Sequence, residues 1–421
     1  MELLSELEWR ELVYDKTEGL GDALAAGPIT GYIGFDPTAS SLHVGSLLPI
    51  LLLARLQRAG HTPIALVGGG TGLIGDPSGK TQERVLLTPE QVDQNVEGIR
   101  TQLERFLDFD ARGNPARLIN NGDWLRPYAL IPFLRDVGKH FTVNYMMAKE
   151  SVKRRLEGDE GISFTEFSYM LLMAYDFVVL FDRFGCTLQM GGSDQWGNIT
   201  AGMDLIRKLR GARAYGLVSP LVTTTAGVKF GKTEAGTIWL DPHRTSPFHF
   251  YQFWLNTDDR DAVRYLKFFT FLERDRIDEL ARVTQIAPER REAQRTLARE
   301  VTAAVHGAEQ VARAERAAAV LFGETLEDAN VDDVLMVFAD APSTDLSLGP
   351  EGMTIVELLT SVKLVSSRSE AARLVKSGGI YVNNVRAADE RARLTVADAI
   401  GGQVIVLRKG RKDQHVVRLL R

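Results

Sequence analysis

Between Pro28 and Gly70 the chain passes from an apolar run through a polar loop and a helical pattern, then back to an apolar run. GPITGYIGF has the β-branched and aromatic texture of a strand, and PIALVGG reads as a second one. Between them the apolar spacing predicts a helix over roughly Ser46 to Ala59, ended by Gly60. Pro49 suits its first turn, where backbone N–H groups lack intrahelical partners. Strand, helix and strand in so short a span make a βαβ unit, hence a parallel pair with a right-handed crossover. ARLIN, TLQMGG and PLVTT are later strand candidates. The expected fold is a Rossmann-like, doubly wound parallel-sheet α/β domain with its ligand at the carboxyl ends of the strands.

A chain of 421 residues is too long for one core. From about Thr245 the texture turns to Ala, Glu and Arg, as in ERREAQRTLAREVTAAVHGAEQVARAERAAAVLF, which predicts an α-helical domain. FADAPSTDLSLGPEGM reads as a linker. The expected divisions are 1–244 for the α/β domain, 245–325 for the helices, 326–350 for the linker and 351–421 for a small α+β module. A net charge of −5 argues against a nucleic-acid partner, but the charge is uneven. Lys363 to Arg421 holds 13 Lys and Arg against 5 Asp and Glu, which leaves −13 on the remainder. A basic tail on an acidic body suggests a polyanion handled by its own module. Cys186 is the only cysteine, so no internal disulfide forms and a reducing cytoplasm is expected. Apolar runs such as MLLMAYDFVVLF fall short of the ~20 residues of a membrane helix, and the acidic, amphipathic start is no signal peptide.

Two glycine patterns lie after the second strand. Gly70, Gly72 and Gly75 match G-x-G-x-x-G, but Asp76-Pro77-Ser78-Gly79 is a turn where that fingerprint needs a helix. Gly79-Lys80-Thr81 approaches the phosphate-loop pattern but has Ile74 where a Gly is required. A different anion site lies in GFDPTASSLHVGSLLPI, where Thr38 and His43 precede the N-terminus of the predicted helix. Far along the chain, Lys229-Phe230-Gly231-Lys232-Thr233 suits a flexible flap that closes on phosphates.

With YIGFDPTASSLHVGS, GLIGDPSGK, GISFTEFSYM, AYDF, GGSDQWGNITAG and KFGKTEAGTIWL in this order, the whole chain resembles the bacterial tyrosyl-tRNA synthetases, of class I. The resemblance implies activation of tyrosine by ATP, then transfer to tRNA. His43 and Thr38 would bind the phosphates as charge builds. Lys80, Arg84, Lys229, Lys232 and Thr233 would stabilise pyrophosphate. Gly34, Asp36, Gly45, Ser46, Gly192, Asp194, Val222 and Lys232 would form the ATP site, with Gly45 leaving room for adenine. Asp194 and Gln195 would hold the ribose and the substrate carboxylate region. Asp76 and Tyr169 would receive the ammonium. Two positions depart from the family pattern: Ser46 replaces a second His, and Met173 replaces a Gln, which predicts a weaker tyrosine site or a substitute contact.

The amino-acid pocket also follows from spacing. Tyr169, Met173 and Asp176 lie at i, i+4 and i+7 on one helical face. A carboxylate on an apolar face needs a partner, and a phenol hydroxyl shared with Tyr32 supplies one. Phenylalanine would leave both groups unpaired, a rejection this enzyme family is the standard illustration of. In the tail, ELLTSVKLVSSRSEAARLVKSGGIYVNN is similar to the alpha-L RNA-binding module. Arg368, Arg373, Lys376, Arg386, Arg408, Lys409, Arg411 and Lys412 would meet RNA phosphates, and Arg207 and Lys208 the acceptor stem. The helices of 245–325 would be the anticodon-binding domain. The resemblance further implies a homodimer joined through IPFLRDVGKHFTVNYMMAKESV, Mg²⁺ accompanying ATP without a protein ligand, and no membrane or DNA partner. Two rival readings remain, a dinucleotide-dependent oxidoreductase built on Gly70, Gly72 and Gly75, and a non-catalytic RNA-binding paralogue.

Overall fold

The computed structural model of the chain describes residues 2–78, 85–157, 161–225, 230–233, 236–322, 326, 330–338, 341–410 and 413–420. Its larger sheet has strands β1 (Asp15–Lys16), β2 (Thr30–Phe35), β3 (Thr62–Val67), β4 (Arg117–Asn120), β5 (Cys186–Gly192) and β6 (Tyr215–Ser219). They lie in the order β1-β6-β5-β2-β3-β4. All neighbours pair in parallel except β1, which runs against β6. The chain winds outward from β2 through β3 to β4, returns to β5 beside β2, and winds the other way to β6. Where the two windings part, β2 and β5 leave a crevice at their carboxyl ends. Ile64, Ala65, Leu66 and Val67 of β3 are all buried, as both faces of a parallel sheet must be. The strand expected at PLVTT lies earlier, because the ladder ends at Ser219 before Pro220, which has no N–H to donate.

The first crossover helix is Leu47–Arg58, entered through a single 3₁₀ turn at Val44–Ser46. Helix Phe164–Phe184 begins at Ser163, whose hydroxyl accepts the Glu166 N–H, and ends at Gly185. At 21 residues it is long and apolar enough to cross a membrane, against the expectation from its apolar run alone, since the helix extends beyond that run at both ends. Most of it is buried against the sheet and helix Trp196–Arg210. The C-terminal carbonyls of helix Asp259–Phe269 accept hydrogen bonds from two buried arginines. Arg55 donates to Phe268 and Thr270, and Arg10 to Lys267 and Thr270.

Packing divides the chain into residues 1–245 with 253–305, and 246–252 with 306–421. The helices read from sequence as one middle domain are therefore shared between the two units. The second unit holds a five-stranded sheet in the order Val385–Arg386, Ile380–Val382, Val404–Lys409, Asp413–Leu419, Ser343–Leu346. Helices Ile355–Ser361 and Arg368–Lys376, capped by Thr354 and Ser367, pack on it around Leu358, Leu359, Ile380, Ile405 and Leu407. The stretch read as a linker contributes helix Val331–Val337 and the edge strand Ser343–Leu346, parallel to Asp413–Leu419. Its polar composition suits an edge, where one row of backbone groups faces solvent.

Candidate active site

A cavity of about 200 Å³ opens at the carboxyl ends of β2, β3 and β5. Asp176 on helix Phe164–Phe184 projects into its floor and is fully buried. Its carboxylate accepts from Trp124 Nε1 at 2.7 Å and Asn121 Nδ2 at 2.8 Å. Burial nevertheless outweighs these bonds and pushes its pKa up to about 7. Tyr32 lies beside it, fully buried, edge-on to Phe177 at 5.3 Å. Its hydroxyl has no hydrogen-bond partner among the described residues. Burial, then the Asp176 charge, hold that phenol well above its ordinary range.

A chain of hydrogen bonds leads from this floor to the rim. Asn121 Nδ2 also donates to Thr71 Oγ1 at 3.0 Å, and Thr71 donates to Asp36 at 3.2 Å. The Tyr169 hydroxyl donates to the other Asp36 oxygen at 3.0 Å, so it is committed to a carboxylate of the protein. Across the cavity Gln195 Nε2 donates to Asp76 at 2.8 Å, and the Ser78 N–H to its other oxygen at 2.9 Å. Buried Asn198 braces this pair, donating to Gln195 Oε1 at 3.0 Å. Asp194, in the turn after β5, has its pKa raised by burial and then by the charge of Asp76. A Cβ on Gly192 would lie 2.7 Å from the Asp194 carboxylate. So many carboxylates around one cavity attract an ammonium. Met173 lines the same cavity with a thioether, a weak acceptor, and so does buried Gln189, whose side-chain oxygen has no described partner.

The second end of the crevice is more open. His43 is exposed and pairs through its backbone with Trp239, whose ring stands edge-on at 6.2 Å. Its Nδ1 accepts the Gly45 N–H at 3.0 Å, which leaves Nε2 as the donor of the neutral ring. A Cβ on Gly45 would lie 2.8 Å from that imidazole, so a side chain there would displace the ring. Thr38 is exposed at the end of β2, its N–H bonded to the Asp36 carbonyl, and Gly34 faces open space. Val222 is half-buried in the segment after β6, and Ser46 ends the 3₁₀ turn.

The lysine-bearing segment reaches the same place. Gly231, at φ +78°, lies so close to Val44 that a Cβ would come within 2.6 Å of that side chain. Its carbonyl accepts from Ile238, and Ile238 accepts from Val44. Phe230 is buried and stacks on Phe269 at 5.4 Å, with Phe253, Trp254 and Tyr265 around it. On the other side Thr225 donates its N–H and hydroxyl to Asp261. The segment read as a flexible flap is thus anchored by its own aromatic residue. The backbone of Lys232 and Thr233 pairs with Gly236–Thr237, while Lys80, Arg84 and Lys229 lie outside the described residues.

The remaining cations are mostly paired within the chain. Arg207 and Lys208 both bind Asp204, and Lys208 also donates to the His140 carbonyl. In the second unit Arg368 lies 3.8 Å from Glu357, Lys376 3.2 Å from Glu390 and Lys409 2.9 Å from Glu370. Arg373 is exposed, and Arg411 and Lys412 lie outside the described residues. Among the described residues no group of His, Cys, Asp and Glu is placed to hold a metal ion. The dinucleotide reading fails on local geometry. Gly70 gives its N–H to Asn121, and Thr71–Leu73 is a 3₁₀ turn where the fingerprint requires a helix. Asn121, Trp124, Thr71, Gln189 and Asn198 were not singled out from sequence. Gln189 and Asn198 lay inside quoted motifs and Asn121 directly after the ARLIN strand, but none of their partnerships could be read there.

Comparison with known proteins places this geometry in context. The chain matches the family tRNA synthetases class I (W and Y) over residues 24–323, and the tyrosine–tRNA ligase SYY-like C-terminal domain over 333–417. It is 58% identical to the tyrosine–tRNA ligase of Roseiflexus castenholzii, with 99% of each chain covered. It is 54% identical to that of Geobacillus stearothermophilus, over 99% of this chain and 100% of the relative. A C-terminally truncated mitochondrial tyrosyl-tRNA synthetase from Aspergillus nidulans superposes with a TM-score of 0.68 at 31% identity, covering 74% of this chain and 92% of that one.

Proposed function

This chain belongs to the tyrosine–tRNA ligases of class I, and from that premise we propose how its crevice divides the work between two ends. In the first reaction a carboxylate oxygen of tyrosine attacks the α-phosphorus of ATP, and pyrophosphate leaves with the electrons of the broken P–O bond. In the second a ribose hydroxyl at the tRNA 3′ end attacks the acyl carbon, and AMP leaves. Neither step needs a covalent bond to the protein, so positioning and charge carry the rate.

The carboxylate-lined end holds tyrosine. Its phenol hydroxyl donates to Asp176 and accepts from Tyr32, and its ammonium meets Asp36, Asp76 and Gln195. The observation that carries this reading is the buried Tyr32 hydroxyl, without a described partner, beside buried Asp176, a pair that a hydroxyl-bearing ring completes. Phosphates lie at the other end against His43 Nε2–H, Thr38 and the lysines of the Phe230-anchored segment, joined there by Lys80 and Arg84. Gly34, Gly45, Ser46, Gly192, Asp194 and Val222 border the nucleoside, and Mg²⁺ enters with ATP. Tyrosine-dependent exchange of pyrophosphate into ATP tests the reading. Exchange is expected with tyrosine and not with phenylalanine; RNA binding without any exchange overturns it in favour of a non-catalytic paralogue.

The second unit, with Arg373 and its neighbours, binds tRNA, and the helices of 245–325 meet the anticodon. Exposed Ile131, Val143, Met147 and Phe164 supply an apolar face for a second copy of the chain. The enzyme works as a cytoplasmic homodimer apart from membranes and DNA, which sedimentation at micromolar concentration checks.

A further inference from the structure

In the second unit Tyr381 stands directly across from Arg386 on one neighbouring strand and Arg408 on the other, and Arg408 stands across from Gln414. Residues opposed across antiparallel strands share a face, so these four form one row. The alternate positions Ile380 and Leu407 turn the other way into the core, which puts this row on the opposite face, where Arg386 is exposed and Tyr381, Arg408 and Gln414 are half-buried. The Arg408 guanidinium lies over the Tyr381 ring, 4.3 Å from its centroid. Arg386 lies flat across Gly378, donating to the Ser377 carbonyl at 3.0 Å and the Gly378 carbonyl at 3.1 Å.

What holds these arginines distinguishes them from their neighbours. Arg368, Lys376 and Lys409 each face a carboxylate. Arg386 and Arg408 make no ion pair among the described residues and are fixed by neutral carbonyls and a ring. Their charges are thus held in place without being neutralised, in a segment already rich in Lys and Arg. An aromatic ring between two positioned guanidinium groups offers a stacking plane flanked by phosphate sites, and bases stack on both rings and guanidinium planes.

We propose that Tyr381, with Arg408 and Arg386 in the same row, is a stacking platform for one unpaired nucleotide of the tRNA. The proposal rests on the reading of the second unit as an RNA-binding module. Equilibrium binding of a tRNA transcript by the full-length enzyme, repeated over a range of salt, tests it. Tyr381→Ala is expected to weaken binding about tenfold without changing the slope of log affinity against log salt. Tyr381→Trp is expected to bind as the native chain. Arg386→Gln is expected to flatten the slope by about one. Pyrophosphate exchange needs no tRNA and stays unchanged in all three, which separates loss of the platform from loss of the fold. Native affinity for Tyr381→Ala, or equal loss in Tyr381→Trp, overturns the platform. Arg373→Glu separates the two levels. If it weakens binding while Tyr381→Ala does not, only the platform falls; if Arg373→Glu and Arg386→Gln both bind normally, the RNA-binding reading falls with it.

Discussion

The two ends of the crevice are built on opposite principles. At the tyrosine end the polar groups are buried and linked in sequence, from Trp124 through Asp176, Asn121 and Thr71 to Asp36 and Tyr169. At the phosphate end His43 and Thr38 are exposed, and what is buried is apolar support, above all Phe230. Discrimination between similar rings needs a dry pocket whose unpaired groups penalise the wrong guest. Charge stabilisation of a departing pyrophosphate needs donors that a hydrated anion can reach and leave. On the proposed reading the same fold keeps one end closed for selection and the other open for turnover.

That contrast breaks if the two ends fail in the same way when damaged. The largest effect is expected from His43→Ala. It removes a donor to the developing phosphate charge and should lower the exchange rate about 10²- to 10³-fold. Tyrosine KM should hold, because His43 is not among the residues proposed to hold the amino acid. Asp176→Asn comes next, with kcat/KM for tyrosine falling about 100-fold, since a buried charged acceptor is lost and an amide N–H₂ group turned toward Trp124 or Asn121. An increase in tyrosine KM for His43→Ala as large as that for Asp176→Asn would dissolve the distinction.

The closed end should also be the pH-sensitive one. Burial raises the Asp176 pKa from 3.8 to about 7, so between those values the unfolded chain binds fewer protons than the folded one. Stability of the free enzyme must then fall as pH rises across that window, and level off above it. On the proposed reading tyrosine donates to the ionised form, so its binding should tighten from about pH 6 to about pH 8 with release of a proton. Calorimetric titration in buffers of different ionisation enthalpy measures that proton, and Asp176→Asn should abolish it. Tyr32→Phe tests the same end more gently. Losing one neutral hydrogen bond should cost about tenfold in preference for tyrosine over phenylalanine, read in the exchange assay.

How much of this was legible follows the same divide. Tyr169, Met173 and Asp176 could be read because one helix sets them on one face, and the loop before Leu47–Arg58 because a βαβ unit fixes where its ligand end lies. Asn121 and Trp124 could not, because their partnership with Asp176 spans more than fifty residues and depends on β4 pairing beside β3. Phe230 was hidden by its neighbours. Between two lysines it looked like part of a mobile strap, and only the aromatic box from Phe253 to Phe269 shows it to be an anchor. The strand at Ser343–Leu346 was masked by linker-like composition that an edge strand tolerates.

The smallest expected effect concerns Met173, an apolar side chain on the cavity wall at a position where the family pattern has Gln. Its thioether accepts hydrogen bonds weakly, so on the proposed reading the ammonium of bound tyrosine depends on Asp36, Asp76 and Gln195. Gln189, whose buried oxygen has no described partner, lines the same cavity. Met173→Gln changes volume little and adds an acceptor, so tyrosine KM should drop a few-fold, about the worth of one neutral hydrogen bond, with the exchange kcat unaltered. Two variants separate a missing contact from a replaced one. If Met173→Gln leaves KM unmoved while Gln189→Leu raises it, the wall has shifted its acceptor from the helix to β5. If Met173→Gln improves binding and Gln189→Leu changes nothing, the closed end of this enzyme holds tyrosine with one hydrogen bond fewer.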